Sequence, residues 1–247
     1  MTNINRHENF FGVYMNRKSF VSGAIILMAA GLVVRILGFV YRIYLSNLIG
    51  AEGMGLFQLI SPVYSLIILT LTAGVSIAVS KMVAEELAQN HIINLRRVTN
   101  CALWLILCTG AAVSLLMYFN INFLVNNILK DSRTYSSLLL LIPCIPVIAA
   151  SSALKGYFYG IQLVVPTALS QIVEQVVKIS LVMLMAGSFV SAGLEYACAL
   201  AVIGTALGEI CNLAVLASIY NFRRRGDLRN IFFVEVGFII FVNTTTQ

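Results

Sequence analysis

Charge is what this chain has least of. Only 11% of its 247 residues are Asp, Glu, Lys or Arg, while 60% are hydrophobic, and the mean hydropathy is +0.92. A soluble domain carries about 25% charged residues, so the composition excludes a water-soluble globule and leaves the membrane class. Cysteine chemistry is missing too. Cys101, Cys108, Cys144, Cys198 and Cys211 all lie within or at the edge of apolar runs, their number is odd, and no CxxC pair exists. Neither a disulfide framework nor a zinc site is expected, and these residues read as small hydrophobes. No GxSxG, HExxH or paired-acid arrangement occurs, and His7 and His91 have no ligand-type neighbours. Enzymatic chemistry, a metal and a cofactor are therefore not expected. The glycine-rich stretch from Gly50 to Gly55 matches neither GxGxxG nor a P-loop, and no strand precedes it, so nucleotide binding is rejected and a tight turn is expected.

What the chain does have is long apolar runs. They are continuous, whereas barrel strands alternate every second residue, so helices rather than a β-barrel are expected. Six spans are read at 20–45, 56–79, 98–119, 136–158, 166–189 and 194–220. A seventh run, 231–242, is interrupted by Glu235 and reads as a helix cut short. Pro143 and Pro146 should bend the fourth span. The organisation is then an N-terminal segment at 1–19, a six-helix unit at 20–220, and a basic loop with a truncated tail at 221–247.

The net charge of +6 is explained by where the basic residues stand, not by nucleic acid. Arg6, Arg17 and Lys18 precede the first span, Lys81, Arg96 and Arg97 follow the second, Lys155 ends the fourth, and Arg223, Arg224, Arg225 and Arg229 follow the sixth. The alternate loops hold only Lys130 and Arg133. By the positive-inside rule the basic side is cytoplasmic, which puts a multi-pass protein in the cell membrane with both termini inside.

Three spans carry polar faces. Arg35 lies in mid-span, where a guanidinium costs several kcal/mol unless it faces protein or a water-filled cavity. Gly31, Arg35, Gly38 and Arg42 share one helical face, with small residues that admit a ligand between two cations. On the second span Gln58, Ser61, Pro62, Ser65, Thr72, Ser76 and Ser80 form a stripe, read as a cavity face in preference to hydroxyls bonding their own backbone. The fifth span carries Gln171, Glu174, Gln175 and Lys178, with Glu174 and Lys178 at the favoured i, i+4 order for a pair. The sixth carries Thr205, Glu209 and Asn212, beside a small-residue contact at Gly204 and Gly208. Glu209 either meets Arg35 or Lys178 across the bundle or carries a proton. Glu174 and Glu209 are thus candidates for ion coupling or for structural pairing, and Arg35, Arg42, Gln58 and Lys178 for binding an anionic cargo.

The stretch Val34-Arg35-Ile36-Leu37-Gly38-Phe39-Val40-Tyr41-Arg42 running into Ile49-Gly50-Ala51-Glu52-Gly53-Met54-Gly55, with Pro62-Val63-Tyr64 and Ser80-Lys81-Met82 after it, resembles the opening of the stage V sporulation protein B family of polysaccharide-type flippases. Leu154-Lys155-Gly156-Tyr157-Phe158-Tyr159-Gly160 and the segment 166–175 fit the same family. The resemblance covers roughly 15–221 and fades after 227–230. It implies one six-helix lobe of a two-lobe exporter fold around a central cavity. It also implies a cargo such as an undecaprenyl-pyrophosphate-linked saccharide, the peptidoglycan precursor lipid II among them, for spore cortex or polysaccharide synthesis. A complete member is about twice as long, so a frameshift or premature stop is expected. Transport would then require a second lobe from another copy or a separate chain. Two alternatives stand beside this one. The first is a cation-coupled multidrug exporter, which Arg35 disfavours by repelling cationic cargo; the second is an inactive truncated remnant or scaffold.

Overall fold

A computed structural model describes residues 17–89, 91–190 and 194–224, and among them every regular element is helical. The order is α1 (Arg17–Ala88), α2 (Ile92–Phe119), a single turn α3 (Ile121–Phe123), a π-helical stretch (Leu124–Leu129), α4 (Thr134–Leu141), α5 (Cys144–Gly160), α6 (Val165–Val190) and α7 (Leu194–Arg224). Among the described residues, four stretches are long and apolar enough to cross a bilayer: Gly23–Ala88, Asn94–Phe119, Val165–Met185 and Ala199–Arg223. The pair α4 and α5, bent by 41° at Ile142 and Pro143, makes a fifth if counted as one span. The protein is an all-α, multi-pass membrane protein.

That count is lower than the six read from the sequence because α1 merges two of the expected spans. At 72 residues it would extend on the order of 100 Å if straight, about three times the hydrocarbon thickness of a bilayer. It is not straight. Gly50 adopts φ 68° and ψ −174°, a region essentially reserved for glycine, and divides α1 into arms 17–49 and 51–88. The expected loop at 46–55 is therefore corrected to one residue. A single glycine at positive φ is enough to turn the chain, and helix resumes directly on either side of it. The fourth span bends where its prolines predict. Pro146 has no N–H for the carbonyl of Ile142, which accepts instead from Ser114 Oγ on α2 at 3.0 Å and from the Ile145 amide at 3.2 Å.

Packing is set by small residues. Gly156 and Gly160 of α5 lie so close to the second arm of α1 that a Cβ on either would stand 2.7 Å from the carbonyl oxygen of Ser76 or Ser80. Around that crossing Val79, Val83, Leu154, Phe158 and Leu216 form an apolar core. The polar stripe of the second span consequently divides: its lower part, Ser76 and Ser80, borders a helix crossing. Thr72 donates to its own helix at Ile68 O over 2.8 Å. Gly204 and Gly208 do pack as the sequence predicts: a Cβ added at Gly208 would fall 3.1 Å from Glu174 O on α6. The first arm of α1 meets α6 through Ile26 and Ala30 against Val165 and Ala168. Nearer Gly50, Tyr41, Leu45, Ile49 and Met54 pack with Val182, Leu200 and Ala201. These contacts bring both arms of α1 and the middle of α6 to one place.

The truncated tail expected at 231–242 lies outside the described residues, as does the first part of the segment 1–19.

Candidate functional site

Where the arms of α1 diverge from Gly50 they enclose, with α6, a cavity of about 420 Å³. Arg35, Gly38, Phe39, Tyr41, Arg42 and Leu45 line it from the first arm, Met54, Phe57 and Ser61 from the second, and Gln175 and Lys178 from α6. Helical geometry accounts for the first set. Arg35, Gly38 and Arg42 repeat at i, i+3 and i+7, so they face the same way, and Gly38 leaves the gap between the two guanidinium groups open. No atom lies within 4 Å of where a Cβ on Gly38 would sit. Gly31, expected on that face, is not part of the lining.

The cavity is cationic. Among the described residues, the ion pairs within 4.0 Å are Lys81 with Glu85, His91 with Glu86, and Arg133 with Glu52, all away from this wall. Arg35, Arg42 and Lys178 therefore face the cavity without a paired carboxylate, while Ser61 and Gln175 add neutral hydrogen-bonding groups. An arginine offers a planar fork that matches a phosphate or carboxylate with two bonds, and a lysine adds a point charge. Gln58 is exposed on the second arm and is not among the lining residues.

The two acids behave differently from the expected pairing. Glu174 does not pair with Lys178, and Glu209 meets neither Arg35 nor Lys178. Instead Asn212 Nδ2 donates to Glu174 Oε2 at 2.9 Å and lies 3.4 Å from Glu209 Oε2. The reason is proximity: Asn212 is three residues beyond Glu209 on the same helix, and the close crossing at Gly208 presses that helix against Glu174. Lys178 Nζ stands over the Tyr41 ring, 4.9 Å from its centroid. The sequence reasoning missed Tyr41, although its place three residues after Gly38 was a signal that it shares the arginine face. It also missed Met54 and Phe57, which reach the cavity only because the chain turns at Gly50. Among the described residues no three His, Cys, Asp or Glu side chains are grouped to hold a metal ion.

A family model described as polysaccharide biosynthesis protein matches residues 20–246. The chain belongs to that family. The match runs through the stretch after 230, where the resemblance was expected to fade, and corrects that expectation. The chain is 35% identical to stage V sporulation protein B of Bacillus subtilis (strain 168) over 90% of its length and 43% of the relative's. It is 29% identical to the lipid II flippase MurJ of the same organism, over 83% of this chain and 40% of that one. The chain thus spans less than half the length of these curated relatives. Among solved structures, the outward-facing conformation of a multidrug resistance MATE family transporter of the MOP superfamily aligns with a TM-score of 0.72 at 19% identity. That alignment covers 84% of this chain and 45% of that structure, and it shows a shared fold. As a member of this family the protein is not an enzyme, and its place is in the membrane.

Proposed function

We propose that the chain forms the cargo-binding lobe of a flippase for an isoprenoid-pyrophosphate-linked saccharide, lipid II or a related precursor of cell wall, spore cortex or polysaccharide. One observation carries this reading: Arg35, Arg42 and Lys178 line one cavity, and among the described residues no carboxylate is paired to them. A pyrophosphate supplies the complementary charge, and its lipid tail stays in the bilayer while the head occupies the polar wall. The relatives support the cargo class, since one of them is named a lipid II flippase.

The lobe is read as six spans over 20–220: the two arms of α1, then α2, the bent pair α4 and α5, α6, and α7. Segments 1–19 and 221–247 lie on the cytoplasmic side, where the basic residues concentrate. Alternating access rocks one lobe against another, so a second lobe is needed, supplied by another copy, a separate chain or a continuation of this one. Glu174 and Glu209 act in structural pairing through Asn212 or in ion coupling.

Binding of undecaprenyl pyrophosphate to the purified chain, read by native mass spectrometry, tests the cargo. Arg35→Ala should weaken it by roughly tenfold, the loss of one charge-assisted phosphate contact, while the protein remains inserted. Undiminished binding by a well-inserted Arg35→Ala protein would remove Arg35 from the site. Resistance to organic cations conferred on sensitive cells would instead favour multidrug export.

A further inference from the structure

Glu174 and Lys178 stand one turn apart on α6 with the acid first, the order that favours an intrahelical ion pair. They do not make it. No carboxylate oxygen lies within 4.0 Å of Lys178 Nζ among the described residues. Attraction between the two charges is strong in an apolar setting, so each must be held by something else. Two residues from other helices do this. From α7, Asn212 Nδ2 binds Glu174 Oε2 at 2.9 Å. From the first arm of α1, the Tyr41 ring takes the Lys178 ammonium 4.9 Å from its centroid. Both are buried, Asn212 with 0% and Tyr41 with 5% of its surface exposed.

The surroundings make the arrangement specific. Gly208 sits against this very turn, its Cβ position 3.1 Å from Glu174 O and 3.5 Å from Lys178 Cβ. That approach delivers Asn212, four residues further along α7, to the carboxylates. Asn212 turns its donor to both acids and leaves its Oδ1 buried without a hydrogen-bond partner. An unpartnered buried carbonyl is unfavourable, and it is tolerated here because the amide is held by two carboxylates.

We infer that Tyr41 and Asn212 are positioning residues that hold Glu174 and Lys178 apart, so that the Lys178 ammonium serves the ligand of the cavity instead of the carboxylate on its own helix. This rests on the reading of the cavity as an anion site. Asn212 draws the acid toward α7, and Tyr41 provides a resting place that neutralises nothing. The amino group, over a ring and not beside a carboxylate, stays at the cavity wall. Arg42 and Glu209 are also within electrostatic reach of Lys178, and neither pairs with it directly.

The test uses the whole chain in detergent with its lysines carrying 13C-dimethyl groups, which keep their charge. The Lys178 signal is assigned by its loss in Lys178→Arg. In the parent protein this signal should be displaced upfield by the Tyr41 ring. Tyr41→Phe, which retains the ring, should keep the displacement, and Tyr41→Leu should abolish it. Asn212→Leu should move the signal as the ammonium goes to Glu174, and Glu174→Gln added to that variant should move it back. Farnesyl pyrophosphate serves as the binding probe. Its affinity should fall roughly tenfold in Asn212→Leu and recover to within about twofold in the double variant. A Lys178 signal without ring displacement in the parent protein, or one unaffected by Tyr41→Leu, overturns the inference. So does unchanged affinity in Asn212→Leu. If Asn212→Leu fails to fold, the two Tyr41 variants decide by themselves. If the parent protein binds no farnesyl pyrophosphate, the anion-site reading fails, while the spectra still decide whether the pair is held apart.

Discussion

Replacing Gly160 by alanine adds one methyl group at the close crossing of α5 and the second arm of α1. The new Cβ would stand 2.7 Å from Ser80 O and 2.7 Å from both Cβ and Cγ1 of Val83. Carbon atoms in contact prefer roughly 3.5–4.0 Å, so the helices must separate by about 1 Å. Side-chain rotation gives little relief, because one obstacle is backbone and the other is a valine with 0% exposure. Separation loosens Val79, Val83 and Phe158, which fill the same core. Overpacking of this kind costs about 1–3 kcal/mol. The backbone offset is smaller, since alanine favours a helix over glycine by about 1 kcal/mol. With three atoms at 2.7 Å the overpacking cost falls in the upper half of its range, so a net loss of roughly 1–2 kcal/mol should lower the thermal midpoint by about 2–8 °C for a chain of this size. A thiol-reactive dye reads the transition through the buried Cys144, in a background where Cys101, Cys108, Cys198 and Cys211 are serine. Gly74→Ala is the control: no atom lies within 4 Å of its Cβ position, so the substitution should be neutral or slightly stabilising. If Gly160→Ala melts at or above the parent temperature, or if Gly74→Ala falls as far, the close crossing does not limit stability.

Three further outcomes follow from the geometry. Gly50→Ala should cost about 1–3 kcal/mol from backbone strain alone, because φ is 68° there and nothing crowds the new methyl; a fall in thermal midpoint larger than that of Gly74→Ala checks it. Ser114→Ala should cost about 0.5–1.5 kcal/mol by removing a donor from the Ile142 carbonyl, measured in the same thiol assay. The bond between Arg133 and Glu52, 2.6 Å long, joins side chains that are 50% and 70% exposed, so Arg133→Gln should change stability by less than about 1 kcal/mol, and added salt should not widen the difference.

The sequence by itself determined the all-helical membrane class and which residues share a helical face. Apolar runs long enough to cross a bilayer need no partner to be recognised, because the bilayer imposes the length. Helical spacing put Arg35, Gly38 and Arg42 on one face, and prolines marked the bend in the fourth span. Gly204 and Gly208 announced a close crossing, which the structure contains. Tertiary structure decided what each polar group faces. Periodicity gives the direction of a side chain around its own axis and nothing about the neighbouring helix. Ser61 lines the cavity while Ser76 and Ser80, on a stripe read as continuous, lie against Gly156 and Gly160. Glu174 and Lys178 have the spacing of an ion pair, yet Asn212 and Tyr41 from two other helices take one charge each. Local spacing sets which contacts are within reach, and the crossing of helices distant in sequence selects among them, because in a packed apolar interior the nearest fixed partner wins.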